Sequence, residues 1–167
     1  MIAYLISGLS FLLALMLQYG IVARTNLLAG SAEMVLLFIA AWSLHQHSKY
    51  AWILVFVFGL VVGFISAMPL LIPVIIYMII HLVATFLRGR MWKTPLLAMF
   101  LLVFGGTLLE YFANVGWLFI SGVSFSLSES FTNIALPSVL LNMLLAIPIH
   151  ALVQEINRSI SPIGQEE

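Results

Sequence analysis

Thr94–Gly122 reads TPLLAMFLLVFGGTLLEYFANVGWLFISG, and Glu110 is its only charged residue. The run exceeds the ~20 mostly apolar residues that cross a bilayer as a helix. A charge at that depth is costly unless it faces protein or water. The segment therefore reads as a membrane helix carrying one group that does more than cross. Pure packing, with the carboxyl protonated to make burial cheap, and a partner- or ligand-facing role both remain open for Glu110.

Composition extends this reading to the whole chain. Of 167 residues, 63% are apolar and 7% charged. Soluble domains run at ~45–50% apolar, and a soluble core of this size cannot bury the excess. Lipid is the expected solvent. The chain has no Cys, which excludes disulfides, thiol catalysis and cysteine metal sites. Formal net charge is zero, so nothing points to nucleic acid. The first apolar run lacks a basic leader and a convincing cleavage site, and reads as a retained helix.

Six spans are expected: Ile2–Val22, Leu27–Leu44, Tyr50–Met68, Leu70–Leu87, one within Thr94–Gly122, and Phe131–Val153. The third and fourth are divided by Ser66-Ala67-Met68-Pro69 and by Pro73. Proline lacks an N–H and restricts its predecessor, so a helical hairpin is expected over one very long helix. Loop charges then orient the chain. Lys49, Arg88, Arg90, Lys93 and Arg158 fall on one side and Arg24 alone on the other. The basic side is cytoplasmic, with both termini inside. Trp42, Trp52 and Trp92 suit the inner interface and Trp117 the outer one. Residues 1–158 form one transmembrane domain and 159–167 a short, loose cytoplasmic tail. The outer connection Gly122–Ser130 reads either as a solvated loop or as a strip at the lipid or partner surface.

Polar residues inside the spans repeat at helical spacing. Gly106, Glu110 and Asn114 share a face of span five. Pro73, Tyr77, His81 and Thr85 do so on span four, and Ser138, Asn142, Ala146 and His150 on span six. Lipid offers such atoms no partner, so the three faces should converge. Asn142 and Glu110 both lie in the outer half, which opens a Glu110–Asn142 hydrogen bond. For Asn142, Tyr77 and Thr85 interhelical bonding is the plainer role. His81 and His150 have no accompanying ligands, so no metal, haem or other cofactor is expected. His45 and His47 read as headgroup contacts. No nucleophile–base motif and no paired carboxylates are apparent, which points away from an enzyme. Gly59, Gly63 and Ala67 form a small-residue face that admits a close helix, from this chain or another. Ser10, Ala14 and Gln18 make a weaker one on span one.

Two regions carry a family resemblance. Leu136-Pro-Ser-Val-Leu-Leu-Asn-Met-Leu-Leu-Ala-Ile-Pro-Ile-His-Ala-Leu-Val resembles the last helix of the bacterial rod shape-determining protein MreD, with Pro137, Ser138, Asn142 and Pro148 on its pattern. Phe58-Gly-Leu-Val-Val-Gly, Met68-Pro-Leu and Arg88-Gly-Arg-Met-Trp-Lys-Thr-Pro-Leu-Leu-Ala-Met-Phe resemble that family's glycine-rich third span, turn and basic loop. The Asp that many members carry after the span-three glycines is absent, since Phe64-Ile-Ser-Ala-Met stands there.

The resemblance implies a non-enzymatic, multi-pass scaffold of the bacterial inner membrane. It would serve the cell-elongation machinery that synthesises side-wall peptidoglycan. Its implied partner is an MreC-type protein, held laterally through membrane helices, and through it MreB, RodA and a class B penicillin-binding protein. MreD folds also resemble the six-span substrate-binding subunits of energy-coupling-factor transporters. That supplies an alternative in which Glu110, Asn114 and Asn142 line an outward-facing vitamin site.

Overall fold

The computed structural model describes residues 2–20, 29–45, 51–66, 68–91 and 93–160. Those residues are almost wholly helical. The elements are α1 (Ile2–Gly20), α2 (Met34–His45), α3 (Ala51–Ile65), α4 (Leu71–Arg90), α5 (Pro95–Ile120), α6 (Leu127–Ser130) and α7 (Leu136–Ile160). A single wide π turn, Phe131–Ala135, joins α6 to α7, so the last rod begins at Leu127. The expected outer loop Gly122–Ser130 is thus a loop only to Ser126, whose hydroxyl caps α6 by accepting the N–H of Glu129.

Among the described residues, three helices are long and apolar enough to cross a membrane: Leu71–Arg90, Pro95–Ile120 and Leu127–Arg158. Shorter apolar helices run over Gly8–Gly20, Met34–His45 and Ala51–Ile65. Large apolar side chains cover the outside, including Leu9, Met16, Phe64, Leu82, Phe86, Leu140 and Leu144. Water would not tolerate such a surface, and these features point to a membrane protein. Arg24, His47, Lys49, Ala67, Trp92 and residues 161–167, which entered the sequence reading, lie outside the described residues.

The second span departs most from expectation. Its helix starts at Met34, not Leu27, and residues 31–33 approach it without helical structure. Every residue from Met34 to Leu44 is buried. A helix apolar on all sides belongs in a core, and α2 packs against α1, α4, α5 and α7. The polar faces of α4, α5 and α7 therefore converge with α2 between them. Twelve helical residues rise only about 18 Å, short of a hydrocarbon core about 30 Å thick. If 29–33 is extended at about 3.3 Å per residue, it adds roughly 16 Å, and the pair has the length to cross.

The α3 and α4 segments are separate helices packed together. Their contact consumes the small-residue face. A Cβ on Gly59 would lie 2.8 Å from the Val74 Cα, and one on Gly63 2.6 Å from the Leu70 carbonyl oxygen. At the same level Phe11 of α1 stacks on Phe58, with ring centroids 4.5 Å apart. Gly122 ends α5 at φ 76°, which glycine adopts without strain. The N–H groups of Gly122 and Val123 then reach back to Phe119 and Leu118 carbonyls, closing the helix end.

Candidate functional site

The non-helical run before α2 exposes backbone N–H groups inside the bundle. Such backbone is tolerated at membrane depth only where protein satisfies it. The N–H of Ala29 donates to the Asn133 carbonyl at 3.2 Å. That of Ser31 donates to Ser138 Oγ at 3.1 Å. That of Glu33 donates to Asn142 Oδ1 at 2.7 Å. Val35, in the first turn of α2, donates to Gln18 Oε1 of α1 at 3.0 Å. The spacing explains the match. Two extended residues advance about 6.6 Å, and four helical residues about 6 Å. Ser138 and Asn142, one turn apart on α7, thus meet alternate N–H groups of the incoming chain. Gly30 sits between them and α7, where a Cβ would be 2.7 Å from both Pro137 Cβ and the Ser138 nitrogen.

Asn142 also bridges to the next helix. Its Nδ2 donates to Thr107 Oγ1 of α5 at 2.9 Å, and the residue is fully buried. The expected Glu110–Asn142 bond is therefore replaced, because both ends of the amide are engaged elsewhere. Glu110 instead stands beside Glu33, within electrostatic and hydrogen-bonding reach of its carboxyl. Two acidic side chains are thus paired here, where none were expected. The second oxygens, Glu33 Oε2 and Glu110 Oε2, are shut from solvent and have no hydrogen-bond partner among the described residues. Tyr77 of α4 and Tyr19 of α1 stand within electrostatic reach of Glu110.

Beside the pair lies a cavity of about 260 Å³, at the end of the bundle away from Arg88 and Arg90. Its polar lining is Ser31, Glu33, Thr107, Asn114, Ser130 and Ser138, with Tyr111 donating from its hydroxyl to Ser130 Oγ at 3.2 Å. Of the residues expected at an outer solute site, Asn114 lines this cavity, while Glu110 and Asn142 stand behind its wall. Asn114 Nδ2 donates to the Glu110 carbonyl of its own helix at 3.0 Å.

The other expected residues separate into distinct roles. Tyr77 and His81 are buried, and His81 Nδ1 bonds Ser43 Oγ at 2.9 Å. Thr85 is not interhelical, since its hydroxyl donates to the Leu82 carbonyl one turn back. His81 and His150 do not pair. His150 packs on His45, with ring centroids 4.7 Å apart, and the His45 Nδ1 bonds the Ala41 carbonyl. His45 is accordingly half-buried and packed on His150. Trp42 is buried in the bundle, whereas Trp52 and Trp117 are exposed. Gly106 meets Ile80 and Leu36 side chains, and Pro148 lies exposed on α7. The Arg88 guanidinium donates to the Ser43 carbonyl at 3.3 Å, close to the end of α2.

Glu33 is the functional candidate that sequence reasoning missed. Its signal was present: an acid inside a predicted span, next to Ser31 and Gly30. The chain matches no family model, no curated protein and no solved structure.

Proposed function

We propose that this protein is a non-enzymatic membrane scaffold of the MreD type, acting in the bacterial inner membrane within the cell-elongation machinery. It holds the single membrane helix of an MreC-type partner against its lipid-facing side. Through that partner it connects to MreB, RodA and a class B penicillin-binding protein.

The observation that carries this reading is a groove between α4 and α5. It is lined by Ile79, Val83, Leu101, Leu102, Gly105 and Leu109 among others, and encloses about 230 Å³. Every lining side chain is apolar, and a Cβ on Gly105 would meet nothing within 4 Å. Small residues at such places let a second helix approach closely. Gly59 and Gly63 are spent inside the chain, which leaves this groove as the open counterpart. The MreD-like closing residues support the same reading from the inside. Pro137, Ser138 and Asn142 stand where the entry to α2 is fastened.

Co-expression with an MreC-type protein and purification in mild detergent tests the proposal. The two should elute together, and Gly105→Phe, which fills the groove from an unobstructed position, should release the partner while the bundle stays folded. A folded wild-type sample that retains no partner, or a Gly105→Phe variant that retains it fully, sinks the reading.

A further inference from the structure

We propose that the basic turn between α4 and α5 is a seat for an anionic phospholipid, with Arg90 and Lys93 on its phosphate and Leu82 and Phe86 along its acyl chain. This does not depend on the scaffold reading. None of these four residues lines the α4–α5 groove, and the test below contains no partner protein.

Three features define the seat. The first is charge. Arg88, Arg90 and Lys93 stand close together in the chain, and no acid occurs between Glu33 and Glu110. The Thr94 N–H donates to the Met91 carbonyl at 3.0 Å, which closes the turn and keeps the exposed Lys93 beside the end of α4. The second is the way Arg90 is held. Its guanidinium lies 4.6 Å from the centroid of the Phe86 ring, one turn back on α4. The charge is therefore drawn toward the apolar part of the helix and not out into water. Cationic side chains rest on apolar surface in this way at a membrane boundary. Arg90 is exposed and takes no hydrogen bond or ion pair among the described residues. Its N–H groups can pair with two oxygens of a phosphate. The third is the apolar continuation. Leu82, Phe86 and Arg90 follow one another four residues apart on one face. Leu82 is 62% and Phe86 59% exposed. From Leu82 to Arg90 the helix rises about 12 Å, so a chain attached to a phosphate at Arg90 can lie along both side chains.

The cations select among lipids. Every phospholipid carries a phosphate, but the ammonium of an ethanolamine or choline headgroup offsets its charge. A headgroup without an amine keeps the net negative charge. One Lys or Arg near such a surface is worth about fivefold in binding. Free phosphate would meet the cations but not Leu82 and Phe86, so the apolar face commits the seat to lipid. Arg158 serves as the comparison. It is an exposed cation near the end of α7, 3.9 Å from the Glu155 carboxylate.

The test uses the intact protein in nanodiscs that mix phosphatidylglycerol, phosphatidylethanolamine and phosphatidylcholine. Lipid retained on release is read by native mass spectrometry. Phosphatidylglycerol should be retained over the other two by about fivefold or more. Arg90→Gln and Lys93→Gln should each lower that preference by about fivefold. Phe86→Ala leaves the charge unchanged and should also lower it, because Arg90 and the acyl chain both lose their support. Arg158→Gln removes a charge elsewhere and should leave it unaltered. Excess inorganic phosphate should not displace the lipid. All four positions are exposed, and thermal unfolding checks that each variant stays folded. Equal retention of the three lipids by folded wild-type protein overturns the proposal. So does undiminished preference in the Arg90→Gln/Lys93→Gln double variant or in Phe86→Ala. A loss in Arg158→Gln as large as in Arg90→Gln would show a diffuse attraction with no seat. Displacement by inorganic phosphate would show an anion site that does not read lipid. Either result would also overturn it.

Discussion

Asn142 Oδ1 accepts the backbone N–H of Glu33 at 2.7 Å. That bond ties the start of the central helix to the last one. The same amide donates to Thr107, so α2, α5 and α7 meet at one fully buried side chain. Asn142→Ala removes both bonds and leaves an N–H and a hydroxyl in a dry interior. Polar contacts between membrane helices average about 0.6 kcal/mol, but a stranded buried group costs about 1–3 kcal/mol. The expected loss is therefore about 2–4 kcal/mol in an SDS or steric-trapping unfolding assay. Ser138→Ala should cost less, because only one bond goes. Equal and negligible losses would mean that 29–33 is not fastened this way.

Gly30 and Gly105 are predicted to respond oppositely to the same methyl group. At Gly30 the new carbon would sit 2.7 Å from α7 backbone, which cannot yield as a side-chain tip can. Gly30→Ala should destabilise by about 1–3 kcal/mol, the range for overpacking. At Gly105 nothing lies within 4 Å, and alanine favours a helix over glycine by up to about 1 kcal/mol. Gly105→Ala should be neutral or stabilising. Thermal unfolding in one detergent compares the two directly, and a stable Gly30→Ala would mean that the chain crosses α7 less closely.

Much of this architecture is legible from the residues alone, and the failures have one physical origin. Apolar runs, prolines at 69 and 73 and the Gly59/Gly63 spacing lead to helices and to a close α3–α4 pair. The spacing of Ser138 and Asn142 marks a buried polar face. What that face bonds to was not legible. Hydropathy treats Leu27–Leu44 as one span, because it weighs side chains and is blind to backbone. A non-helical approach is permitted only by acceptors more than 100 residues away, Ser138 and Asn142. For the same reason Glu33 drew no role, and Glu110 read as a solitary acid. Their juxtaposition is a tertiary fact.

The carboxyl pair leads to a third prediction, on coupling. Glu110→Gln keeps an N–H that can donate to Glu33, so its stability should stay within about 1 kcal/mol of wild type. Glu110→Leu strands the Glu33 carboxyl and should cost about 1–3 kcal/mol. Adding Glu33→Leu removes the stranded group and should recover part of that loss. The double-mutant cycle should then show a coupling of at least about 0.5 kcal/mol, as for side chains in contact. Strict additivity would mean that the two acids act separately.

The absence of native cysteine makes the orientation and the cavity measurable in one experiment. Any introduced thiol is the only one. Leu118 and Ser130 line the cavity, and Leu118 is exposed. Ala41 is fully buried in α2. Arg90 ends α4 at the opposite end of the bundle and is exposed. The basic-side-inward orientation expected from loop charges puts Leu118 and Ser130 toward the outside. In intact cells a membrane-impermeant maleimide should therefore label Leu118→Cys and Ser130→Cys, and leave Ala41→Cys and Arg90→Cys untouched. Opening the cells should expose Arg90→Cys and still not Ala41→Cys. Labelling of Arg90→Cys from outside, with Leu118→Cys silent, would invert the protein in the membrane. The cavity would then face the cytosol.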